Sequence, residues 1–432
     1  LRAADRKPNF VFIYSDDQRW DAMGVVQREQ GERARFPFFT TPHMDRLAAG
    51  GVRFRNAFVT LSLCAPSRAA FLTGRYNHLN GVTKNHMPFP EDSVTHATVL
   101  RGAGYRTAYI GKWHMGKQRG QRPGFDYSAS FVGQGHYHDC PFEINGEPTP
   151  TTGWVDDVST DYAIEWIKQN REHPFSLVLG FKSPHSPRGG KNLPERLRTL
   201  YAGETSRPTP NFGVPPIYRA PVPAGGTPWP GLAKNEIHLD YLRHVHGADE
   251  NLGRVLDTLD TLGLADDTVV VYTSDNGYYL GEHCLGDKRS LYEESLRIPL
   301  LVRYPRLFGK GRLVDEMVLN IDLAPSFLDL AGVTAPAVMQ GESWKDLAAG
   351  RKPAHWRQSF LAEYFKELGD APTMVGVRTS DSKLIHYPGR PEWTEVFDLS
   401  KDPYEIRNLA GDPAKTSTLR AELESQAKAV EY

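Results

Sequence analysis

The chain has 432 residues, of which 40% are hydrophobic and 24% are charged, and its formal net charge is −1. The length allows roughly two to three domains, and the composition is that of an ordinary globular protein. The charge balance argues against a nucleic-acid partner or an anionic membrane surface, and no apolar run approaches the roughly 18 residues of a membrane span.

Five short, almost unbroken apolar runs predict the buried strands of a mostly parallel sheet, because strands covered on both faces carry few polar residues. They span residues 9–14, 107–110, 176–181, 268–273 and 299–302. Helical patterns between them predict helices over residues 42–50, 161–170 and 237–262, the last of which stops at Gly263. Strands that alternate with helices indicate a sheet covered on both faces.

From Pro187 to Gly231 the chain carries ten prolines and little periodicity. A stretch of this length without regular structure is often a functional loop. An ordered surface excursion without a role is the alternative.

After Trp344 the pattern changes to short strands over residues 360–365, 374–379, 383–387 and 395–399, followed by a helix from 417 to 430. We therefore predict an α/β fold with a large mixed, mostly parallel sheet sandwiched by helices. The boundaries we predict are an N-terminal α/β catalytic domain over residues 1–350 and a smaller C-terminal α+β subdomain over 351–432, with a short antiparallel sheet and a helix.

Charged and polar residues follow four of the predicted strands. In open α/β sheets, ligands bind at the carboxyl ends of the strands, so these residues are expected at one cleft. Each set alone has an ordinary explanation as a helix cap, a turn or a loop residue, but four strand ends together indicate a site. The sets are Asp16-Asp17, Lys112-Trp113-His114, Lys182-Ser183-Pro184-His185 and Asp275-Asn276-Gly277.

The run Cys64-Ala65-Pro66-Ser67-Arg68 is followed by Leu72-Thr73-Gly74-Arg75. Pro66 suits the first turn of a helix, and Gly74 suits its end in a left-handed conformation. Cys64 is therefore expected just outside a helix N-terminus, where free N–H groups and the helix dipole favour an anion.

These two runs resemble the modification signal of the type I sulfatases, of the alkaline-phosphatase-like superfamily, whose cysteine is oxidised to formylglycine. The resemblance extends from Pro8 to about Leu409 and includes the strand-end residues and the run from Gly286 to Ser295. It implies a sulfuric ester hydrolase, and we expect it to act on an O-sulfated carbohydrate, near the non-reducing end. An aryl or alkyl sulfatase and a phosphonate or phosphodiester hydrolase of the same superfamily are the alternatives.

The resemblance also implies one divalent cation held by Asp16, Asp17, Asp275 and Asn276, with the modified Cys64 touching it. An all-oxygen, carboxylate-rich site suits Ca²⁺ better than Mg²⁺, because Ca²⁺ tolerates irregular geometry. The gene product would need a formylglycine-generating enzyme as a partner during maturation.

In the mechanism that follows, hydrated formylglycine attacks sulfur with one hydroxyl, while the metal and Arg68 favour its deprotonation. Lys112 and Lys288 neutralise charge on the sulfuryl oxygens. His185, aided by Lys288, is expected to protonate the departing alcohol, and His114 takes a proton from the second hydroxyl, which expels sulfate.

Substrate contacts are expected from a set of polar loop residues, namely His136, His138, His283 and Arg289. Trp20, Trp113 and Trp229 could stack on a sugar ring, although burial in the core is the commoner fate of a tryptophan. Residues 135–140 could also form a soft-metal cluster, but no second ligand group stands at a recognisable spacing.

With Cys64 modified, Cys140 and Cys284 remain, and two unpaired thiols are favoured over a disulfide. The chain starts at Leu1 rather than methionine, so we expect that a signal segment has been removed and that the protein is exported, to the periplasm or the cell exterior.

Overall fold

The computed structural model describes residues 7–219 and 234–432. Its first half contains, in chain order, β1 (Asn9–Ser15), α1 (Gly24–Gln30), α2 (Pro42–Gly50), β2 (Val52–Phe54), β3 (Ala57–Phe58), α3 (Cys64–Thr73), α4 (Asn77–Asn80), α5 (His96–Gly102), β4 (Arg106–Lys112), β5 (Tyr127–Phe131), β6 (Phe142–Ile144), β7 (Glu147–Thr149), α6 (Val155–Asn170) and β8 (Phe175–Gly180).

The second half continues with α7 (Asn235–Thr261), β9 (Thr268–Ser274), α8 (Glu293–Leu296), β10 (Arg297–Ile298), β11 (Leu300–Arg303), β12 (Arg312–Val314), β13 (Val318–Leu319), α9 (Leu323–Leu330), α10 (Lys345–Ala348), β14 (Ser359–Tyr364), β15 (Met374–Thr379), β16 (Ser382–His386), β17 (Glu395–Asp398) and α11 (Pro413–Ala429).

Ten strands form the main sheet in the order β12-β2-β11-β9-β1-β8-β4-β5-β6-β7. The central strands β9, β1, β8, β4 and β5 are parallel, whereas β11, β6 and β7 are joined to their neighbours antiparallel. In the central register Val11 lies opposite Leu177 and Val270, so the apolar runs of the sequence meet in the middle of the sheet. The large mixed, mostly parallel sheet is confirmed.

Alternate residues of β1 point to opposite faces of the sheet, as the pleat requires. Phe10 and Phe12 belong to one apolar cluster, which also contains residues of α3, α5 and α9. Val11 and Ile13 belong to the other, with residues of α2, α6 and α7. Helices therefore cover both faces, and the sheet is the middle layer.

The C-terminal part is an antiparallel sheet of four strands, β14-β15-β16-β17, with α11 packed against it. This confirms the expected antiparallel sheet and helix. Its residue Val377 belongs to the same apolar cluster as Phe71 of α3, so this sheet packs onto the face of the main sheet that carries α3. A domain boundary at 350/351 falls between α10 and β14 and stays a proposal.

The predicted strands and helices lie within a few residues of the observed ones, with two informative differences. The helix predicted over residues 161–170 begins earlier, at Val155. The short strands β2, β3, β5, β6, β7, β10, β12 and β13 were not predicted. In the proline-rich stretch, residues 187–219 contain only short 3₁₀ turns, and the rest of the stretch, from residue 220 to 231, lies outside the described residues.

Candidate active site

Two neighbouring parallel strands bring the acidic residues together. β1 and β9 pair as far as Ser15 and Ser274, so the residues that follow each strand leave the sheet side by side. The backbone N–H of Asp17 donates to Oδ1 of Asp275 at 3.1 Å. Carboxylate oxygens of Asp16, Asp17 and Asp275 all lie within 4.8 Å of one another, and all three residues are buried.

Cys64 is the first residue of α3 rather than lying just outside the helix, because the preceding residue, Leu63, is the last with extended backbone. The helix ends at Gly74, whose φ of 64° is the left-handed conformation expected for it. The Cys64 Sγ lies 3.4 Å from Oδ1 of Asp16 and 3.2 Å from Nζ of Lys288. Burial, and next the charge of Asp16, raise the pKa of the Cys64 thiol well above its usual range.

Arg68 stands one helical turn after Cys64, so the helix directs both side chains into the same cleft. Its Nη2 donates to Oδ2 of Asp16 at 2.9 Å and to Oδ2 of Asp275 at 2.8 Å. Its Nη1 donates to the carbonyl oxygen of Lys112 at 2.7 Å. The guanidinium is therefore fixed between the ends of β1, β9 and β4.

The positive groups are distributed unevenly over the carboxylates. Burial alone would raise the pKa of Asp16, but the nearby charges, led by Lys112, hold it well below its usual range. Asp275 differs, because burial and the charge of Asp16 raise its pKa to about 7. Crowded carboxylates of this kind favour a bound cation.

The amide of Asn276 supports the same conclusion. Its Nδ2 donates to Oδ1 of Asp17 at 2.7 Å, which also accepts from Nζ of Lys288 at 2.6 Å. Its Oδ1 is buried and has no hydrogen-bond partner among the described residues. A buried oxygen without a donor beside three carboxylates is the donor set of a hard cation, so the residues fit a divalent metal ion.

Lys112 is the last residue of β4 and His114 lies two residues beyond it. A residue that the sequence did not indicate links them. Gln134 contacts Nζ of Lys112 through its Oε1, and its Nε2 lies 3.0 Å from Nε2 of His114. Its backbone carbonyl accepts from Nζ of Lys182 at 2.9 Å. Burial, and next the charge of Lys112, lower the pKa of His114 well below its usual value, so the ring is neutral.

His185 reaches the cleft from the end of β8. Its Nδ1 donates to the carbonyl oxygen of Ser186 at 2.6 Å, and its Nε2 lies 4.0 Å from Oδ2 of Asp17. Burial, followed by the charge of Lys112, lowers the pKa of His185, so the Nε2 carries a lone pair. Burial and the same charge lower the pKa of the neighbouring Lys182 to about 7.

Arg188 is a second residue that sequence analysis missed. Its guanidinium lies over the rings of Tyr278 and Tyr241, 4.4 and 5.0 Å from their centroids. Its Nη2 is 4.0 Å from Oδ2 of Asp17 and has no hydrogen-bond partner within the described parts of the chain. No strand end or spacing marks this residue, since its position depends on two tyrosines from distant segments.

The predicted substrate-binding residues are scattered. The expectation for His283 needs an accessible ring, but only 1% of the residue is exposed, and the ring stacks on Tyr292 at 3.9 Å. Arg289 is half-buried and pairs with Glu367 at 3.3 Å. His136 is exposed and His138 is half-buried in the loop that contains Gln134.

The remaining expectations from the sequence concern cysteine and tryptophan. All three cysteines are free and buried in the structure. Trp113 is buried against Phe89 and Tyr109, and Trp20 is covered by the guanidinium of Arg297 at 3.9 Å. Trp229 lies outside the described residues.

The fold and this edge of the sheet define a hydrolase of anionic esters, with clustered carboxylates, cations and a cysteine at a helix start. A family model described as "Sulfatase" matches residues 8–333, and a model described as "N-sulphoglucosamine sulphohydrolase, C-terminal" matches residues 281–431. The chain belongs to the sulfatase family of the alkaline-phosphatase-like superfamily and is a sulfuric ester hydrolase.

Known proteins are similar over nearly the whole chain. An N-acetylglucosamine-6-O-sulfatase of Bacteroides thetaiotaomicron is 32% identical, over 94% of this chain and 83% of that protein. An ulvan-active sulfatase of Formosa agariphila is 30% identical, over 97% of this chain and 80% of that protein. A solved structure described as a complex with its substrate D-glucosamine-2-N,6-O-disulfate superposes with a TM-score of 0.88 at 30% identity, covering 99% of this chain and 98% of that one.

Within the described residues, every helix is too short or too polar to cross a membrane.

Proposed function

We propose that this sulfatase removes O-sulfate groups from a carbohydrate, acting near the non-reducing end of a sulfated polysaccharide or glycosaminoglycan. The observation that carries the proposal is the contact of Cys64 with both Asp16 and Lys288 at the edge of the sheet. Support for the sugar comes from the relatives, whose names specify N-acetylglucosamine-6-O-sulfate, ulvan and a glucosamine disulfate. A 6-O-sulfated hexosamine is therefore the first substrate to test.

The reacting group is proposed to be formylglycine made from Cys64 by a formylglycine-generating enzyme. An unmodified thiol at this position would be a poor nucleophile, because burial and Asp16 raise its pKa and keep it protonated. When formed, the hydrated aldehyde supplies one hydroxyl to attack sulfur and a second hydroxyl whose deprotonation releases sulfate.

The metal site is proposed to consist of Asp16, Asp17, Asp275, Asn276 and the modified Cys64, with Ca²⁺ preferred over Mg²⁺. A bound cation supplies positive charge that favours ionisation of the nucleophile and offsets charge on the sulfate oxygens. The Oδ1 of Asn276, which has no partner within the described chain, and the raised pKa of Asp275 support this assignment.

The cationic side chains bind and orient the sulfate group. The Nζ of Lys288 contacts both Oδ1 of Asp17 and the Sγ of Cys64. In the proposed formylglycine an oxygen replaces this sulfur, so the ammonium of Lys288 lies beside the nucleophile. Lys112 is held by Asp16 and Gln134. Arg68, fixed by Asp16 and Asp275, holds the carboxylates in place.

Two histidines are proposed to move protons. His114 is neutral, so it can accept a proton from the second hydroxyl. His185 must carry a proton on Nε2 to act as the general acid, and in the free protein this atom holds a lone pair. The negative charge of a bound sulfate ester favours the protonated ring, so substrate binding itself would promote protonation of His185.

The proposed domain division assigns all of these residues to the segment 1–350. Export is supported by the extracellular sulfatase homologue of Drosophila melanogaster, 31% identical over 84% of this chain and 33% of that protein. Among the expected sugar contacts, His136, His138 and Arg289 are retained as proposals, whereas His283 is buried and is left out.

The test compares catalytic efficiency on a 6-O-sulfated monosaccharide, a sulfated oligosaccharide and an aryl sulfate, after co-expression with a formylglycine-generating enzyme. Intact mass reports the conversion of Cys64. Efficient cleavage of both sugars is expected. Cleavage of only the aryl ester, or only of a phosphonate ester run in parallel, would contradict the carbohydrate proposal, and cleavage only of internal sulfates would contradict action at the chain end.

A further inference from the structure

A cavity of about 400 Å³ is lined by residues that, within the described chain, lie outside the proposed catalytic set. Its walls come from the turn after β1, the segment around α1, β2 with Arg55 just after it, Thr209, α8, the start of β10, β15 and the loop after β17. Seven arginines and four carboxylates line it, so positive charge exceeds negative charge at its surface. The volume is that of a pocket for a small molecule.

Several of the lining arginines share one carboxylate between two guanidinium groups. Arg53 and Arg55 both pair with Glu29, and Arg55 pairs also with Asp315, which lies outside the cavity lining. Arg33 is exposed and has no carboxylate within 4.0 Å among the described residues. The Nε atoms of Arg53 and Arg55 are buried and, within the described parts of the chain, without hydrogen-bond partners.

A second pair of arginines in the cavity wall also shares one carboxylate. Arg19 and Arg35 both pair with the buried carboxylate of Glu282, and Arg19 pairs also with Asp21. Burial, and next the charge of Arg19, lower the pKa of Arg35 to about 9. The Nε of Arg35 has no partner in the described structure, although only 3% of the side chain is exposed. Polar atoms buried without partners are rare in folded proteins, where a water molecule, an ion or a ligand usually satisfies them.

The guanidinium of Arg297 is held in place by an aromatic ring and by a backbone carbonyl. Its guanidinium stacks on Trp20 at 3.9 Å, and its Nε donates to the carbonyl oxygen of Arg55 at 2.9 Å, where the Nη2 also donates. Its Nη1 has no partner among the described residues, and no carboxylate lies within 4.0 Å of the group. Burial lowers the pKa of Arg297 to about 10. A stacked, preorganised guanidinium with a free edge is suited to bind a tetrahedral oxyanion.

We propose that this cavity, lined by the half-buried Arg297 and the exposed Arg33, is a second anion site that binds a sulfate group, either free or as an ester on a sugar. Leu399, Pro403 and Tyr404 give it an apolar wall against which a sugar ring could lie. The site rests on the proposed function only for the choice of sulfate as the anion. It would let the enzyme hold one sulfate while another is at the catalytic cleft.

The experiment locates and measures the anion in the full-length protein. Crystals soaked in millimolar selenate are expected to show an anomalous peak at hydrogen-bond distance from Nη1 of Arg297. In a Cys64→Ala background, which prevents turnover, calorimetry measures binding of inorganic sulfate, of a 6-O-sulfated disaccharide and of its unsulfated counterpart. Arg297→Gln should weaken the sulfate-dependent binding at this site about tenfold or more, because a charge-assisted hydrogen bond is lost.

Two further variants keep the test decisive. Arg33→Gln changes an exposed side chain, so folding is preserved, and it should weaken the same binding. Arg171→Gln is the matched control, since Arg171 is exposed and lies outside the cavity, and it should bind as the parent protein does. The thermal unfolding midpoint of each variant reports whether the fold is intact.

The outcomes separate the sources of the anion and test the proposal itself. Inorganic sulfate that binds as tightly as the disaccharide supports a site for free sulfate, and tighter binding of the sulfated disaccharide supports a site for the polymer. If selenate is seen only at molar concentration, it is an adventitious ion only, and the proposal is overturned. Unchanged binding in both cavity variants would also overturn it. A selenate peak on Arg297 in a protein that cleaves no sulfated sugar would refute the proposed function alone.

Discussion

Replacing Asp275 by Asn tests whether the carboxylates at the edge of the sheet hold a metal ion. The two oxygens of Asp275 have different partners, since Oδ1 accepts from the backbone of Asp17 and Oδ2 accepts from Arg68. An amide can satisfy only one of them. Arg68 keeps its contacts with Asp16 and with the carbonyl of Lys112, so the variant should still fold.

The size of the effect follows from linkage. A ligand at one hundred times its dissociation constant stabilises the folded state by about 2.7 kcal/mol. The 432-residue chain has an unfolding entropy of about 0.9 kcal/mol per degree, from the usual value per residue. Calcium at that concentration should therefore raise the unfolding midpoint of the parent protein by about 3 °C, and that of Asp275→Asn by less than about 1 °C.

The assay is thermal unfolding after chelation, with and without added Ca²⁺, alongside activity under the same conditions. Asp92→Asn is the matched control, because Asp92 is exposed and outside the acidic cluster, and it should keep the full shift. The assignment would be wrong if Asp275→Asn kept both the calcium shift and the activity. A larger shift with Mg²⁺ than with Ca²⁺ would refute the choice of ion alone.

Three further predictions concern the nucleophile, a linking residue and a buried acid. Cys64→Ala should abolish turnover with little change in the unfolding midpoint. Cys64→Ser should be nearly as inactive in a host without a serine-modifying system, and repeated turnover by the unmodified serine variant would refute the diol mechanism. Gln134→Ala should lower kcat about tenfold or more with a smaller effect on KM, because it frees Lys112 and His114 from their shared partner; a change in KM alone would contradict that role. Burial raises the pKa of Glu395 to about 7 from its ordinary 4.5, so the folded state binds the proton more tightly and stability falls as pH rises through this window. The free energy of unfolding, measured in urea at pH 4.5 and pH 7.5, should fall between these two pH values by up to about 3 kcal/mol less in Glu395→Gln than in the parent protein. An equal fall in the two proteins would refute the assignment.

Much of the candidate site could be predicted because parallel strands end at one edge of a sheet. Asp16 and Asp275 are 259 positions apart in sequence, yet the pairing of β1 with β9 makes them neighbours. The strands themselves were marked by apolar runs, and the helix after Cys64 by its proline and glycine. These are local sequence patterns that determine where a strand or helix ends, so they predict the position of these residues without knowledge of the tertiary structure.

The residues that were missed or misplaced depend on contacts between distant segments. Gln134 follows β5, a strand that no apolar run announced, and Arg188 is held by tyrosines from α7 and from the loop after β9. His283 looked like an accessible loop histidine, but it is buried by stacking on Tyr292, and its backbone N–H donates to Asn211, far back in the chain. A histidine in a loop has no periodicity that would distinguish the two situations.

The arrangement around Cys64 explains why a sulfatase needs more than a reactive residue. The cysteine contacts one carboxylate and one ammonium, and the same ammonium contacts a second carboxylate. Any group placed there is therefore held between a cation and the predicted metal ligands, with its ionisation controlled by both. Burial, and next the charge of Asp16, raise the pKa of a thiol in this position, whereas a hydroxyl beside Lys288 and a metal ion would be activated. The attacking hydroxyl would be activated by Lys288 and the proposed cation, and only the oxidised form of Cys64 carries the second hydroxyl whose deprotonation expels sulfate, which is the chemical reason to expect the modification at this residue.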